Sequence, residues 1–551
     1  MLVAVAMGAA AQQEKGLNFT SLDWEEMRID TVLPVYTEVV PLETDYRTHT
    51  YSVELLYPEY EALTSQETKV AEQFDSLLSE TIRVETFVGI ERGKGLLDIS
   101  FIPIRRQGAR YEKLTSAQIV ITAKADGRLS ARRQASSKAA RYATNSRLAS
   151  GKWVKVSITD DGLYQFSRAS LRKMGFNNPD NVHLYGYGGH LLPEVIREGT
   201  HHDDMVEVPL YYNNQTDSWV FWGNGLVSWT DDTRTLNTYA RQACYFLTEE
   251  DAPSRMETLA YDTALPRQTY TTTRAHTLYE KDEASWYSLG RHLFEGIDYV
   301  NSPSHSYTLQ ATDPAGNGIL NVVFTGYSTL TNNCSVTVNG TLAGKFFIRP
   351  AGEYIYGVAA TQKCDLTALG IGTPATLNVN IRSESGKNAR LDYLTYNYDR
   401  KLNTANSSGY VDFTYPTMTP VRFDITGTSV KVIRTGSVGL KDALVEGTQG
   451  NGTYSISVDD GSQHFVAFNT AASFPEPTVV GNVENQNLHS LDSLDMVIIV
   501  PASGKLLSEA NRLAEAHRQH DGLRVAVVRA DQVYNEFSSG TPDPTADRHL
   551  M

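Results

Sequence analysis

Residues 495–528 constrain the fold of this chain more than any other stretch. Asp495-Met496-Val497-Ile498-Ile499-Val500 is an apolar run of strand length, rich in β-branched residues. Such a run suits a strand buried on both faces of a parallel sheet. Ser503 then stands as a cap before a helix in which Leu506, Leu507, Ala510, Leu513, Ala514 and His517 share one face. Gly522 closes that helix, and Leu523-Arg524-Val525-Ala526-Val527-Val528 reads as a second strand. Strand, helix and strand within ~35 residues make a βαβ unit. One such unit does not cover both faces of a sheet. Residues 491–551 therefore read as the opening of an α/β domain, with Ile498, Val500, Val525 and Val527 expected to be exposed.

Everything upstream follows a different period. Trp153 to Ile158, Val182 to Tyr185, Leu320 to Phe324 and Leu377 to Ile381 are short strand-length segments. Ser335-Val336-Thr337-Val338 runs into Asn339-Gly340, a pair suited to the positive φ angles of a type I′ hairpin. Forty Gly and 20 Pro supply turns, and 30 Tyr against 18 Phe tilts the composition toward strands with half-exposed faces. The expected fold class is multidomain and mainly β, with several β-rich or β-sandwich units followed by the first βαβ unit of an α/β domain.

At ~100–200 residues per domain, 551 residues hold several. The expected divisions are a signal-peptide remnant at 1–11 and a β-rich domain at 17–125, with a helix near Glu67 to Leu78. A basic linker at 126–150 carries Arg128, Arg132, Arg133, Lys138, Arg141 and Arg147. There follow a β-rich domain at 151–282, a β-sandwich-like domain at 283–400, a β domain at 401–490 and the α/β start at 491–551. The signal-peptide reading rests on the apolar run Leu2 to Ala11, with Ala9 and Ala11 placed as in an A-x-A cleavage site.

A formal charge of −15 argues against a general nucleic-acid binder, which needs a basic face against phosphates. No apolar run reaches the ~18 residues that a spanning helix requires. Cys244, Cys334 and Cys364 form neither a disulfide-dense scaffold nor a zinc ribbon. Cys334 and Cys364 would pair only if their Cβ atoms meet, and buried free thiols are the simpler reading.

Few motifs point to chemistry. Gly186-Tyr187-Gly188-Gly189 follows a strand as a phosphate loop would, but His190-Leu191-Leu192-Pro193 suits a turn better than a helix N-terminus. His201-His202-Asp203-Asp204 packs four metal-ligand types together, yet neighbours in an extended chain point to opposite faces. A solvated loop is the expected outcome. His517 and His520 read as a partly buried helix-face residue and a partner of the helix C-terminal dipole. No serine-hydrolase, zinc-peptidase, Walker or EF-hand pattern appears. No catalytic, cofactor-binding or metal-ligating residue is assigned, and no cofactor is expected.

The last sixty residues carry a resemblance. The two strands and their helix, then Val533-Tyr534-Asn535-Glu536-Phe537-Ser538-Ser539-Gly540-Thr541-Pro542-Asp543-Pro544-Thr545-Ala546, resemble the entry of a gingipain-type cysteine peptidase domain. Here Asp543 would be an N-cap and Pro544 the first helical residue. Val154 to Phe166, Leu184 to Gly189 with Leu192-Pro193-Glu194, and Asn485-Gln486-Asn487-Leu488-His489 narrow the match. Together with Phe87 to Gly89 and Ile102 to Arg105, they resemble the PorU-type sortase family of the type IX secretion system.

The resemblance implies a caspase-like α/β peptidase domain in which a Cys thiolate, activated by a His, attacks a peptide carbonyl. It implies cleavage of C-terminal signal domains from cargo, and attachment of the cargo to anionic lipopolysaccharide by an amine that resolves the thioester. The implied partners are a PorV-like outer-membrane barrel and other attachment-complex proteins, and the implied place is the cell surface, outer-membrane associated. In that family the catalytic His and Cys follow the Asp-Pro-Thr-Ala stretch, so this 551-residue chain is expected to stop before them and to be inactive alone. Asp547 departs from the apolar residue usual after Thr-Ala. Two alternatives are a secreted gingipain-like cysteine protease with a pro-segment, and a β-sandwich cell-surface adhesin or carbohydrate-binding protein.

Overall fold

In the computed structural model, residues 20–551 are described except 25–26, 30–31, 43–45, 47–48, 92–93, 109, 126–142, 196–201, 262–266, 289, 291, 356 and 385–387. The signal-peptide remnant, most of the basic linker and His201 lie outside the described residues. The chain divides into two compact units, 1–142 and 143–551.

The first unit is built on antiparallel pairing. His49–Ala62 runs against Arg110–Ala125 along nearly its whole length. A second sheet orders Tyr36–Pro41, Lys94–Phe101 and Glu85–Glu91. Alternation along these strands buries Leu97, Ile99, Phe101, Leu114 and Ala117 as one core. The helix spans Ser65–Gln73, starting two residues and ending five residues earlier than the sequence reading places it. Its start is a capping box: Thr64 N donates to Glu67 Oε2 at 2.7 Å, and Glu67 N donates to Thr64 Oγ1 at 3.3 Å.

In the second unit the sheet that matters for the site contains β1 (Trp153–Ile158), β2 (Val182–Tyr185), β3 (Ala243–Glu249) and β4 (Thr478–Val483). Its order is Glu207–Val208, β2, β3, β1, β4. Val154, Val156, Leu184, Tyr245 and Leu247 bury one face, together with Phe166 and Phe221 from a smaller neighbouring sheet. Strand β4 is remote in sequence, yet it pairs with β1 from Thr478↔Ser157 to Val483↔Trp153.

Spatial neighbours cross the boundaries drawn along the sequence. Glu257–Leu259 pairs in parallel with Ala443–Val445, and Gln268–Tyr270 pairs in parallel with Val421–Thr426. The sandwich is inserted in the chain between these paired strands. It packs the sheet of Thr272–Glu280, Ala389–Lys401, Pro314–Gly326 and Val358–Asp365 against that of Ser304–Gln310, Thr376–Ser383, Asn332–Val338 and Thr341–Ile348. The hairpin at Asn339-Gly340 has φ 46° and 85°, as a type I′ turn requires.

Downstream, β5 (Met496–Val500), α1 (Leu507–His520) and β6 (Val525–Arg529) form the expected βαβ unit. Its strands are parallel from Met496↔Val525 to Val500↔Arg529. Two details differ from the sequence reading. Ser503 does not cap α1: the residue before the helix is Leu506, at φ 68°, with no side-chain cap. Val500 and Val525 are buried and Ile498 and Val527 half-buried, because helices pack against the strand pair. The exposed apolar side chains are instead Leu506, Leu507 and Leu513.

Candidate functional site: the seat of the C-terminal segment

After β6 the chain forms α2 (Ala530–Phe537), a loop at 538–544 that is buried except at Pro542 and Pro544, and α3 (Thr545–Leu550). Helix α2 ends abruptly: Ser538 N and Gly540 N both return to Tyr534 O, at 3.0 and 2.7 Å, with Ser539 and Gly540 at φ 53° and 75°. This reversal turns Ser539, Thr541 and Asp543 toward the β unit, where all three are buried. Buried polar groups cost stability unless hydrogen-bonded, and here each has partners.

Ser539 Oγ donates to Cys244 O at 3.0 Å and accepts from Tyr187 N at 3.0 Å. Thr541 Oγ1 accepts from Cys244 N at 3.0 Å. Tyr187 donates its hydroxyl to Phe537 O at 3.1 Å. Asp543 divides its carboxylate, with Oδ2 accepting from Leu192 N at 2.9 Å and Oδ1 from Thr545 N at 2.8 Å. Asp543 thus accepts from the first amide of α3, but it is not the N-cap that the sequence reading expected: Pro544 holds that position, without a side-chain cap, instead of opening the helix. Arg548 donates to Glu194 O.

The Gly186-Tyr187-Gly188-Gly189 loop therefore receives protein, and its glycines have a steric cause. A Cβ on Gly188, at φ 89°, would stand 2.4 Å from Asn224 O, and one on Gly186, at φ 133°, 2.6 Å from Ser539 Oγ. Neither contact tolerates a side chain.

Lys155 reaches the same loop from β1. Its Nζ donates to Gly540 O at 2.7 Å and to Asn535 Oδ1 at 3.0 Å. Burial pulls its pKa below the usual lysine value. Beside it lies a cleft of about 420 Å³ lined by Lys155, Val480, Glu484, Arg529 and Asp531, among others.

Glu536, fully buried on α2, is the other anchor. It accepts from Leu488 N at 2.8 Å, from His489 N at 3.1 Å and from Gln486 Nε2 at 2.8 Å, and His489 Nδ1 lies 2.6 Å away. Sequence reasoning marked the Asn485-to-His489 and Tyr534-to-Ala546 stretches as distinctive but missed that they meet. Residues 47 positions apart share no periodicity that would signal the contact.

The remaining sequence candidates fall elsewhere. Asp203 and Asp204 accept backbone hydrogen bonds from Ala143 N and Arg147 N, at 2.5 and 2.7 Å, and His202 stacks on Tyr187 with ring centroids 5.0 Å apart. These residues tie chain segments together, and among the described residues no group of three or more His, Cys, Asp or Glu is arranged to hold a metal. His517 is half-buried and bonds Asp521 at 2.6 Å, while His520 is exposed in the last turn of α1. Cys244, Cys334 and Cys364 are buried free thiols. Burial raises all three thiol pKa values, that of Cys334 to about 12, the opposite of what a nucleophilic thiol needs. Asp547 is half-buried in α3; burial and the Asp543 charge raise its carboxyl pKa, and its Oδ1 has no hydrogen-bond partner among the described residues.

Comparison with known proteins agrees with this layout. Residues 489–551 match peptidase family C25. Among solved structures, the chain is similar to dimeric latent PorU from Porphyromonas gingivalis, at 26% identity and a TM-score of 0.65, covering 76% of this chain. It spans 41% of the length of that PorU chain. Family 35 carbohydrate-binding modules from Clostridium thermocellum and Cellvibrio japonicus align over 23% of this chain and 90% and 97% of theirs. Their identities are 12% and 13% and their TM-scores 0.16 and 0.17, too low to carry an argument. No curated protein matches. The chain is PorU-like: mainly β units, a fold shared with latent PorU, and the start of a peptidase family C25 domain seated on them.

Proposed function

We propose that this chain is the non-catalytic part of a type IX secretion sortase, whose β units form the platform on which the peptidase domain is mounted. The observation that carries the reading is the seat: Lys155, Tyr187, the Cys244 backbone and Leu192 grip residues 535–543, and Glu536 grips 486–489. This buried, hydrogen-bonded junction joins the β units and the family C25 segment into one folded body, which supports a platform role for the β units. In this reading the complete enzyme removes C-terminal signal domains from cargo at the cell surface and joins the cargo to anionic lipopolysaccharide. A PorV-like barrel and the other attachment-complex proteins hold it at the outer membrane. Among the described residues no helix is long and apolar enough to cross a membrane itself. The three buried cysteines have no part in the chemistry.

The test is deletion of the gene in its own host. Cargo proteins should then keep their C-terminal signal domains and appear unattached in the medium. Normally trimmed and attached cargo, with only adhesion or glycan binding altered, would instead favour the adhesin reading.

A further inference from the structure

His489 lies where four chain segments converge. Its Nδ1 is 2.6 Å from Glu536 Oε2 and its Nε2 is 3.3 Å from the main-chain oxygen of Asp203. A carboxylate and a carbonyl are both acceptors, so the ring makes both hydrogen bonds only as the imidazolium. The ring stacks on Phe537 at 4.4 Å, and the His489 and Glu536 side chains are 3% and 0% exposed. Neighbouring contacts draw in the rest: Asp203 and Asp204 accept from Ala143 N and Arg147 N, and Asn487 Oδ1 accepts from Ser146 N at 2.8 Å.

We propose that His489 is a protonation-dependent latch. While its ring carries both protons it ties α2 of the family C25 segment to the 203–204 loop, and loss of one proton loosens that tie. The groups facing the ring are Glu536 from α2 and Asp203 and Asp204 from the loop, three carboxylates around one cation. A cleft of about 540 Å³ lined by Arg147, Asp203, Asp204 and Glu250 gives water access to the acidic side. The Arg147 guanidinium faces the Tyr185 ring at 6.0 Å.

The direction of the response follows. Burial opposes the charge on His489, but the Glu536 hydrogen bond and the Asp204, Glu536 and Asp203 charges outweigh it and hold its pKa above the ordinary value. A histidine whose folded pKa is raised stabilises fully below its unfolded value, about 6.5, and loses that contribution as pH rises through the folded pKa. Burial also raises the pKa of Asp204, so its contribution falls with rising pH too, over a lower range. The inference stands on these contacts and does not depend on the sortase reading.

The experiment is limited proteolysis of the intact chain from pH 6 to pH 9, each rate normalised to cleavage of the unfolded chain. Cleavage within 485–490 and 530–551 should be several-fold faster at pH 9 than at pH 6, with the sandwich and the 501–523 region unchanged. The His489→Gln variant, which keeps a donor to Glu536 but does not titrate, should give a flat profile. A flat wild-type profile, or an unchanged slope in the variant, overturns the proposal. Should the variant fail to fold, nitrogen NMR of the wild-type imidazoles decides. His489 should stay doubly protonated above the ordinary histidine value of about 6.5; loss of its proton at or below that value overturns the latch.

Discussion

Lys155 shows what a single residue contributes to the junction. A lysine on a central strand is costly to desolvate, and burial lowers its pKa accordingly. It is tolerable there because Gly540 O and Asn535 Oδ1 satisfy its ammonium group. Lys155→Met keeps an apolar stem and removes the ammonium, which lies 5.5 Å from the Phe246 ring centroid, with its donors, leaving two buried acceptors unpaired. The expected loss is about 1–3 kcal/mol, read from urea unfolding of the variant against the parent. A neutral result would mean that water already satisfies those acceptors. Glu536 is a more severe case, since its removal would leave His489 as a buried cation with its main counter-charge gone. From the sequence, Lys155 was one polar residue in an alternating strand and Glu536 one acidic residue on a short helix. Neither role was visible, because each depends on a partner hundreds or tens of residues away.

At the level of elements, local chemistry was legible and long-range pairing was not. Strands β1 and β2 begin and end where their apolar patterns do, and the Asn339-Gly340 hairpin follows from two residues that accept positive φ. The βαβ unit was readable from its change of period. By contrast, β4 belongs to the sheet of β1, and Glu257–Leu259 and Gln268–Tyr270 belong with strands beyond the inserted sandwich. Alternation records which face of a strand is buried but not which strand lies beside it. The start of α1 was misplaced because Ser503 offers a cap that the backbone, turning left-handed at Leu506, does not use. Two glycines separate strain from crowding. Gly340, at φ 85°, has open space around its Cβ position, so Gly340→Ala should cost about 1 kcal/mol from backbone strain alone. Gly188→Ala adds a clash with Asn224 O and should cost clearly more, with faster proteolysis of 530–550 as a second sign. Equal losses in thermal unfolding would argue against the tight fit of the 186–189 loop.

For the second unit as a whole, the C-terminal segment has two regions of different stability. Leu488 and most of 533–546 are buried in the seat, with Gln486, Asn487 and His489 half-buried, whereas Leu506 and the α1 residues Leu507 and Leu513 face solvent and the helix is flanked by Gly504 and Gly522. Opening free energies should follow that division, with the seat near the global stability and the 501–523 region far below it. Limited proteolysis is accordingly expected to cut first between 501 and 523. Exposure of Ile498, Val500, Val525 and Val527, as the sequence reading expects, would make the 491–551 segment protease-sensitive; buried contacts with the β unit change that for its second half.

Amide hydrogen exchange on the intact chain tests the central claim most directly, because the seat is built largely from backbone N–H groups. The amides of Tyr187, Leu192, Cys244, Leu488 and His489 donate to Ser539, Asp543, Thr541 and Glu536. Their protection should approach that of β1 and exceed that of residues 501–506 by orders of magnitude. Exchange at Tyr187, Leu192, Leu488 and His489 as fast as in 501–506, while β1 stays protected, would contradict the account.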